Sequence, residues 1–382
     1  MFYFDNAATT FPKPESVYRA MDTFYREYGV NIGRGQFREA SVANKLADDT
    51  RKQLLDLLHA NSSYQCVFTS SATIAMNMIL QGFPWKPGMN IYITPFEHNA
   101  ILRTLHYLSK KIGFQVIQLT PDKDTWEYDY SNVKAQFQMK HPDMLVMTHA
   151  SNSFGFINPI KHLFGLAKEY GAVSVCDMAQ TAGLIDTDIT NVNVDFAVFA
   201  GHKTLYAPFG IAGFVTNKGN LLKPFIYGGT GVDSANLDMP LEIPIKFEAG
   251  SHNIQAIAGL NAALKWMNDT GIDNIRKKEL ATTQELLSLL HSHYNINIIR
   301  CPDESNNIGV VSCTFDGYSS DSIGQVLSDH YLAVRTGLHC APESHRFLGT
   351  APDGTVRFSV SFFTDNKDLE ALDEVLEYIE MS

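Results

Sequence analysis

Ala172-Val-Ser-Val-Cys-Asp-Met-Ala-Gln180 and, just beyond it, Val194-Asp-Phe-Ala-Val-Phe-Ala-Gly-His-Lys203 decide the fold. Each is a short apolar run that stops at a polar or charged residue, as a strand buried on both faces does. Working outward, Cys66 to Thr69, Asn90 to Thr94, Phe114 to Leu119, Met144 to His149 and Ile211 to Thr216 read the same way. Ala72 to Leu80, His98 to Lys110 and Ile160 to Tyr170 read as helices between them, with a polar helix candidate before Met144. Upstream, Val42, Leu46, Leu54, Leu57 and Leu58 fall on one helix face. This βαβα alternation predicts an α/β fold: a mostly parallel seven-stranded sheet covered by helices, with ligands at the C-terminal ends of its strands.

After about residue 260 the pattern changes. Two or three helices come first, then strand-like Ile308 to Phe315, Ala333 to Arg335 and Val356 to Ser361, and a closing helix from Asp368 to Glu380. These predict a smaller α+β C-terminal domain, completed by the first dozen residues.

Composition narrows the function. The 382 residues carry 30 Lys+Arg against 41 Asp+Glu, a net charge of −11, which argues against a nucleic-acid or anionic-membrane partner. With 45% hydrophobic and 19% charged residues the chain is not disordered. No apolar run approaches the roughly 18 residues of a membrane span, and Met1-Phe-Tyr-Phe-Asp5 lacks the basic n-region of a signal peptide. Five scattered cysteines without a C-x-x-C pair predict reduced thiols in a cytoplasmic protein, with neither a disulfide framework nor a metal site. No G-x-x-x-x-G-K-[ST] loop is present.

The chemistry gathers at strand ends. Ser70-Ser-Ala-Thr73 opens a helix, and reads either as an anion site on free N–H groups or as an ordinary Ser/Thr cap. Asp177 ends a strand, and is either a helix cap or a buried acid that needs a partner. Lys203 closes a strand beside His202, and is either a surface charge or a desolvated amine suited to Schiff-base chemistry. An anion anchor, an aspartate and a lysine in this order are the parts that a pyridoxal 5'-phosphate (PLP) site requires.

With these residues in hand, the sequence resembles the class V aminotransferase group of fold-type I PLP enzymes, and within it the SufS-like cysteine desulfurases. The resemblance runs from Phe4-Asp-Asn-Ala-Ala-Thr-Thr10 through Asn31-Ile-Gly-Arg-Gly35, Phe68-Thr-Ser-Ser-Ala-Thr73, Glu97-His-Asn-Ala100, His149-Ala-Ser-Asn152, Asp177-Met-Ala-Gln180 and Gly201-His-Lys203. Phe247-Glu-Ala-Gly-Ser251, Arg335-Thr-Gly-Leu-His-Cys340 and Val356-Arg-Phe-Ser359 complete it.

The resemblance implies a PLP-dependent transferase fold of type I, with residues 13–259 as the large cofactor-binding domain and 1–12 with 260–382 as the small one. It implies Lys203 as the Schiff-base lysine, His98 stacked on the cofactor ring, Asp177 at the ring nitrogen and Gln180 at the ring hydroxyl. Ala72, Thr73 and His202 would hold the phosphate, with Ser251 reaching it from a partner subunit of a homodimer. Asn152 would lie beside cofactor and substrate, Arg357 would bind the substrate carboxylate, and Arg335 and Asn31 would assist. Cys340, with His339 and Arg335 favouring its thiolate, would take sulfur from L-cysteine as a persulfide, release L-alanine and pass the sulfur to an acceptor protein, as in iron–sulfur cluster assembly. Selenocysteine lyase, transamination or epimerisation are the alternatives on the same scaffold. Four positions depart from the family: Ala200 and Ser251 stand where serine and threonine are usual, and Leu338 and Gly33 where histidines are.

Overall fold

The computed structural model describes residues 1–33, 35–232 and 235–381; Arg34, within one of the sequence tags above, lies outside the described residues. The chain opens with β1 (Phe2–Tyr3), α1 (Glu15–Tyr28) and α2 (Arg38–Leu57). There follow β2 (Gln65–Thr69), α3 (Ala72–Gly82), β3 (Asn90–Ile93), α4 (Asn99–Ile112), β4 (Gln115–Gln118), α5 (Tyr130–Met139) and β5 (Met144–Thr148). Then come α6 (Ile160–Glu169), β6 (Val173–Asp177), β7 (Phe196–Ala200) and β8 (Ala212–Thr216). The C-terminal part holds α7 (Ile254–Thr270), α8 (Ile272–Ser292), β9 (Ile296–Ile299), β10 (Val310–Phe315), α9 (Ser320–Asp329), β11 (Leu332–Ala333), β12 (Arg335–Gly337), α10 (Pro342–Leu348), β13 (Thr355–Ser359) and α11 (Asn366–Met381).

The seven expected strands form one sheet in the order β2-β8-β7-β6-β5-β3-β4. Only β8 is antiparallel to its neighbours, so the other six all end at the same edge. Side chains alternate across the sheet, as the pleat requires. Leu145, Met147, Cys176, Ala197 and Phe199 enter one core, and Met144, Val146, Val175 and Val198 enter the core on the opposite face. Every residue of β5, β6, β7 and β8 is buried.

A second, antiparallel sheet has the order β12-β13-β10-β9 and packs a third core that includes Phe4, Leu286, Val311, Phe358 and Leu372. The first residues join it there: β1 pairs in parallel with β11, and Asp5 bridges Ser359. The expected strand from Ala333 to Arg335 is two strands, since β11 bonds β1 while β12 bonds β13. The stripe that α2 buries also differs from the one expected. It consists of Ala40, Ala43, Ala47, Thr50 and Leu54, small residues that let the helix lie close, while Val42 and Leu46 are only half-buried.

Gly201, just past β7, shows how tightly the edge of the sheet is built. A Cβ there would stand 2.5 Å from the Ile211 carbonyl oxygen. Gly201→Ala should therefore push the following His202–Lys203 segment outward and cost about 1–3 kcal/mol of stability by overpacking. A denaturant titration beside the wild-type protein measures it, and an unchanged midpoint would show that the turn accommodates the methyl group.

Candidate active site

The polar ends of the parallel strands converge on a cavity of about 220 Å³. It is lined by Ala72, Thr73, His98, Asn152, Asp177, Gln180, His202, Lys203, Arg335, Cys340 and Arg357. Eleven of the sequence-assigned residues thus meet in one place, although they span nearly 290 positions of the chain (357 − 72 = 285). Asn31 and Ser251 do not line this cavity and are exposed. A larger open cleft, of about 900 Å³, lies where α2 ends beside the α7–α8 turn and contains none of these residues.

Lys203 lies in the turn three residues past the end of β7. Burial holds its ε-amine down to about 8, a shift that Asp177 and Cys340 oppose and that Arg357 and Arg335 reinforce. Asp177 ends β6 beneath it, buried, accepting the Ala179 N–H at 3.0 Å through Oδ1. Burial raises its carboxyl above the ordinary value, while the Ala179 N–H and Lys203 pull it back.

His98 caps α4, and its Nδ1 accepts the Ala100 N–H at 3.0 Å. Burial and the nearby cations push the ring down to about 4, so it is neutral and carries its proton on Nε2. Glu97 anchors the segment from below: its carboxyl accepts from Thr94 Oγ1 at 2.7 Å and from the Thr148 N–H at 2.9 Å. Burial outweighs these bonds and raises Glu97 to about 8.

The two readings of Ser70–Thr73 are compatible. Ser71 Oγ accepts the Ile74 N–H as an N-cap, and the Ala75 N–H to Ser71 carbonyl bond is the first of the helix, so the N–H groups of Ala72 and Thr73 precede it at the cavity. His202 stacks on Phe209 with ring centroids 4.6 Å apart, and its Nδ1 is buried with no partner. Gln180 Nε2 donates to the Ala7 carbonyl and Asn152 Nδ2 to the His339 carbonyl, which leaves the side-chain oxygen of each amide for a ligand.

Cys340 is half-buried, whereas the other four cysteines are buried. His339 (φ 45°) and Cys340 (φ 60°) are both left-handed, a conformation that costs non-glycine residues about 1–2 kcal/mol each. The turn is held by the Asn99 N–H on the Cys340 carbonyl, at 2.7 Å, and the Ala341 N–H on the Leu338 carbonyl. One expectation fails here. His339 is buried against Thr355 Oγ1, at 2.9 Å, and burial keeps its ring neutral, so it supplies no positive charge to the thiolate.

Arg357 on β13 is buried; Nη1 donates to the Asn152 carbonyl at 2.8 Å and Nη2 to Asp5 Oδ1 at 2.5 Å. Arg335 is its cross-strand partner on β12. Sequence reasoning missed Thr148 as a lining residue and Asp5 as the partner of Arg357. Asp5 lies within the Phe4-Asp-Asn-Ala-Ala tag, which was the available signal.

The chain belongs to the aminotransferase class-V family, whose model matches residues 2–372. Within it, a probable cysteine desulfurase of Pyrococcus abyssi is 31% identical over 99% of this chain and 94% of its own length. The apo structure of a cysteine desulfurase from Thermococcus onnurineus NA1 is similar with a TM-score of 0.91 and 28% identity, covering 100% of this chain and 94% of the other. A cysteine desulfurase of Escherichia coli gives a TM-score of 0.87 at 27% identity, over 100% and 95% of the two chains.

The lowered Lys203 amine is directly measurable. In competitive acetylation of the apoprotein, followed by peptide mass spectrometry, Lys203 should react with a midpoint near pH 8. Below it the rate should fall about tenfold per pH unit, because only the neutral amine reacts. A midpoint at the surface-lysine value would show that the amine is not desolvated.

Proposed function

We propose that the protein is a PLP-dependent cysteine desulfurase in which Lys203 binds the cofactor and Cys340 receives the sulfur. The observation that carries this reading is the convergence of a desolvated lysine, a buried aspartate, paired arginines and the least buried cysteine on one cavity. The residues fit the cofactor: the α3 N-terminus and the unpartnered His202 Nδ1 suit a phosphate, and Asp177 suits a protonated ring nitrogen. When bound, PLP supplies an aldehyde that condenses with primary amines and a pyridinium that accepts electron density from Cα.

The chain's own groups do the rest. Asp177, raised by burial despite the nearby Lys203, would keep a ring proton in place by pairing with it. Neutral His98 would cover the ring face, and its Nδ1 bond to the Ala100 N–H keeps Nε2–H available. Lys203, neutral at mildly alkaline pH, removes the Cα proton and returns it. Ala72, Thr73 and His202 would hold the phosphate, Gln180 would face the ring hydroxyl, and Asn152 would lie beside cofactor and substrate. Arg357, with Arg335, binds the substrate carboxylate.

The Cys340 thiolate attacks the sulfur of L-cysteine; the substrate C–S bond breaks as an S–S bond forms. Of the two thiol protons, one ends on the methyl group of L-alanine and the other on the Cys340 persulfide. A thiol or a sulfur-acceptor protein then takes the outer sulfur.

We also assign residues 13–259 to a cofactor-binding domain and 1–12 with 260–382 to a small domain. Exposed Phe209, beside His202, and exposed Leu237 and Leu241 support a homodimer, in which Ser251 of a second copy reaches the phosphate. Five free cysteines suit a reducing compartment such as the cytoplasm. Among the described residues no helix is long and apolar enough to cross a membrane.

The test is L-cysteine turnover by the holoprotein with added thiol, quantifying sulfide and alanine together. Wild type should give equal amounts of both. Cys340→Ala should lose both by at least about a hundredfold while keeping the cofactor absorption band, as expected when a nucleophile is removed. Undiminished sulfide from Cys340→Ala would exclude Cys340 as the acceptor. A wild type that holds PLP yet makes no alanine would move the substrate to another amino acid.

A further inference from the structure

Asp5 lies outside the cavity, behind the guanidinium assigned above to the substrate carboxylate. It follows β1, bridges Ser359 at the end of β13, and its Oδ1 accepts from Arg357 Nη2 at 2.5 Å. The Arg357 and Asp5 side chains are only 2% and 19% exposed. Arg335 stands directly across from Arg357 on β12, and both guanidinium groups line the cavity. Like charges at directly opposed positions repel. Among the described residues, no ion pair engages Arg335, and Asp5 is the acid that pairs with Arg357. The arginine pair with Asp5 therefore carries one net positive charge, and two without it.

We infer that Asp5 is a specificity-determining positioning residue, which cancels one charge of the Arg335–Arg357 pair and so tunes the site to a substrate with a single carboxylate. An amino acid with an uncharged side chain brings one negative charge, and neutralises the cluster. A second carboxylate meets no further net positive charge in this cluster, since Asp5 already offsets one of the two guanidinium charges. The inference rests on the reading of Arg357 as the carboxylate-binding group.

Asp5→Asn in the holoenzyme tests it, since the amide oxygen still accepts from Nη2 while the charge is removed. Calorimetric binding of propionate and malonate at low salt provides the probes, alongside L-cysteine kinetics. Wild type should bind propionate at least as tightly as malonate. In Asp5→Asn, malonate should tighten about tenfold and propionate by less, as removal of one nearby negative charge predicts. KM for L-cysteine should fall about threefold or more with kcat within about twofold, and the gain should shrink as salt rises.

A propionate-to-malonate ratio identical in the two proteins, or a higher KM in Asp5→Asn, would overturn the inference. If Asp5→Asn does not fold, the wild type still decides: malonate binding tighter than propionate there contradicts the inference. Arg357→Gln separates the underlying assignment. Undiminished propionate binding in that variant would remove Arg357 as the carboxylate site, whatever Asp5 does.

Discussion

The ε-amine of Lys203, kept out of water at the end of β7, sets the terms for everything around it. A lysine in bulk water is protonated at neutral pH and a poor nucleophile; burial at the sheet edge makes its neutral form accessible at mild pH. That arrangement needs a counterweight, because a buried cation without a nearby anion is costly. Asp177, one strand away on β6, supplies it, and Lys203 in turn offsets part of the rise that burial imposes on the Asp177 carboxyl. The lysine and the aspartate each hold the other's charge in check, and both are positioned by backbone that is fully buried on either face.

The N-terminal segment ties the two halves of the site together. Thr9 Oγ1, the Thr10 N–H and Lys13 Nζ all donate to the His202 carbonyl, and Thr10 Oγ1 donates to the Lys203 carbonyl. A few residues earlier, Asp5 holds Arg357, and Asn6 and Ala7 bond Ser359. A single short segment, turned at residues 6–8, thus fixes the lysine of the large sheet relative to the arginine of the small one. At the opposite wall, the Cys340 turn spends strain on two left-handed residues, which projects the thiol toward the cavity rather than into the core.

Much of this was legible in the sequence, for reasons that differ by level. All seven strands of the large sheet were readable because strands buried on both faces are continuous apolar runs with sharp ends, as in Met144–Thr148 and Phe196–Ala200. β9 was missed because Ile296–Ile299 is a half-buried edge strand that follows a long helix without a clear break. α1 was missed although Val17, Met21 and Phe24 recur at helical spacing and pack on the main core; only Val17 among them is fully buried. In the site, residue types and strand-end positions located the lysine and the aspartate, and the family resemblance located the cysteine. They did not reveal that His339 turns away to Thr355 or that Asp5 backs Arg357, since both depend on side-chain direction across segments far apart in sequence. Asn31 and Ser251 remain outside the cavity of a single chain.

The most direct measurement of the central claim is the fate of the substrate sulfur within one turnover. Holoprotein is mixed with L-cysteine in the absence of added thiol, quenched with an alkylating agent, digested and mapped by mass spectrometry. The peptide containing Cys340 should be heavier by one sulfur atom than in the untreated protein, in step with the alanine formed, while peptides of Cys66, Cys176, Cys301 and Cys313 stay unchanged. Alanine formed with the extra sulfur on another cysteine, or on none, would contradict the assignment of Cys340 as the sulfur acceptor.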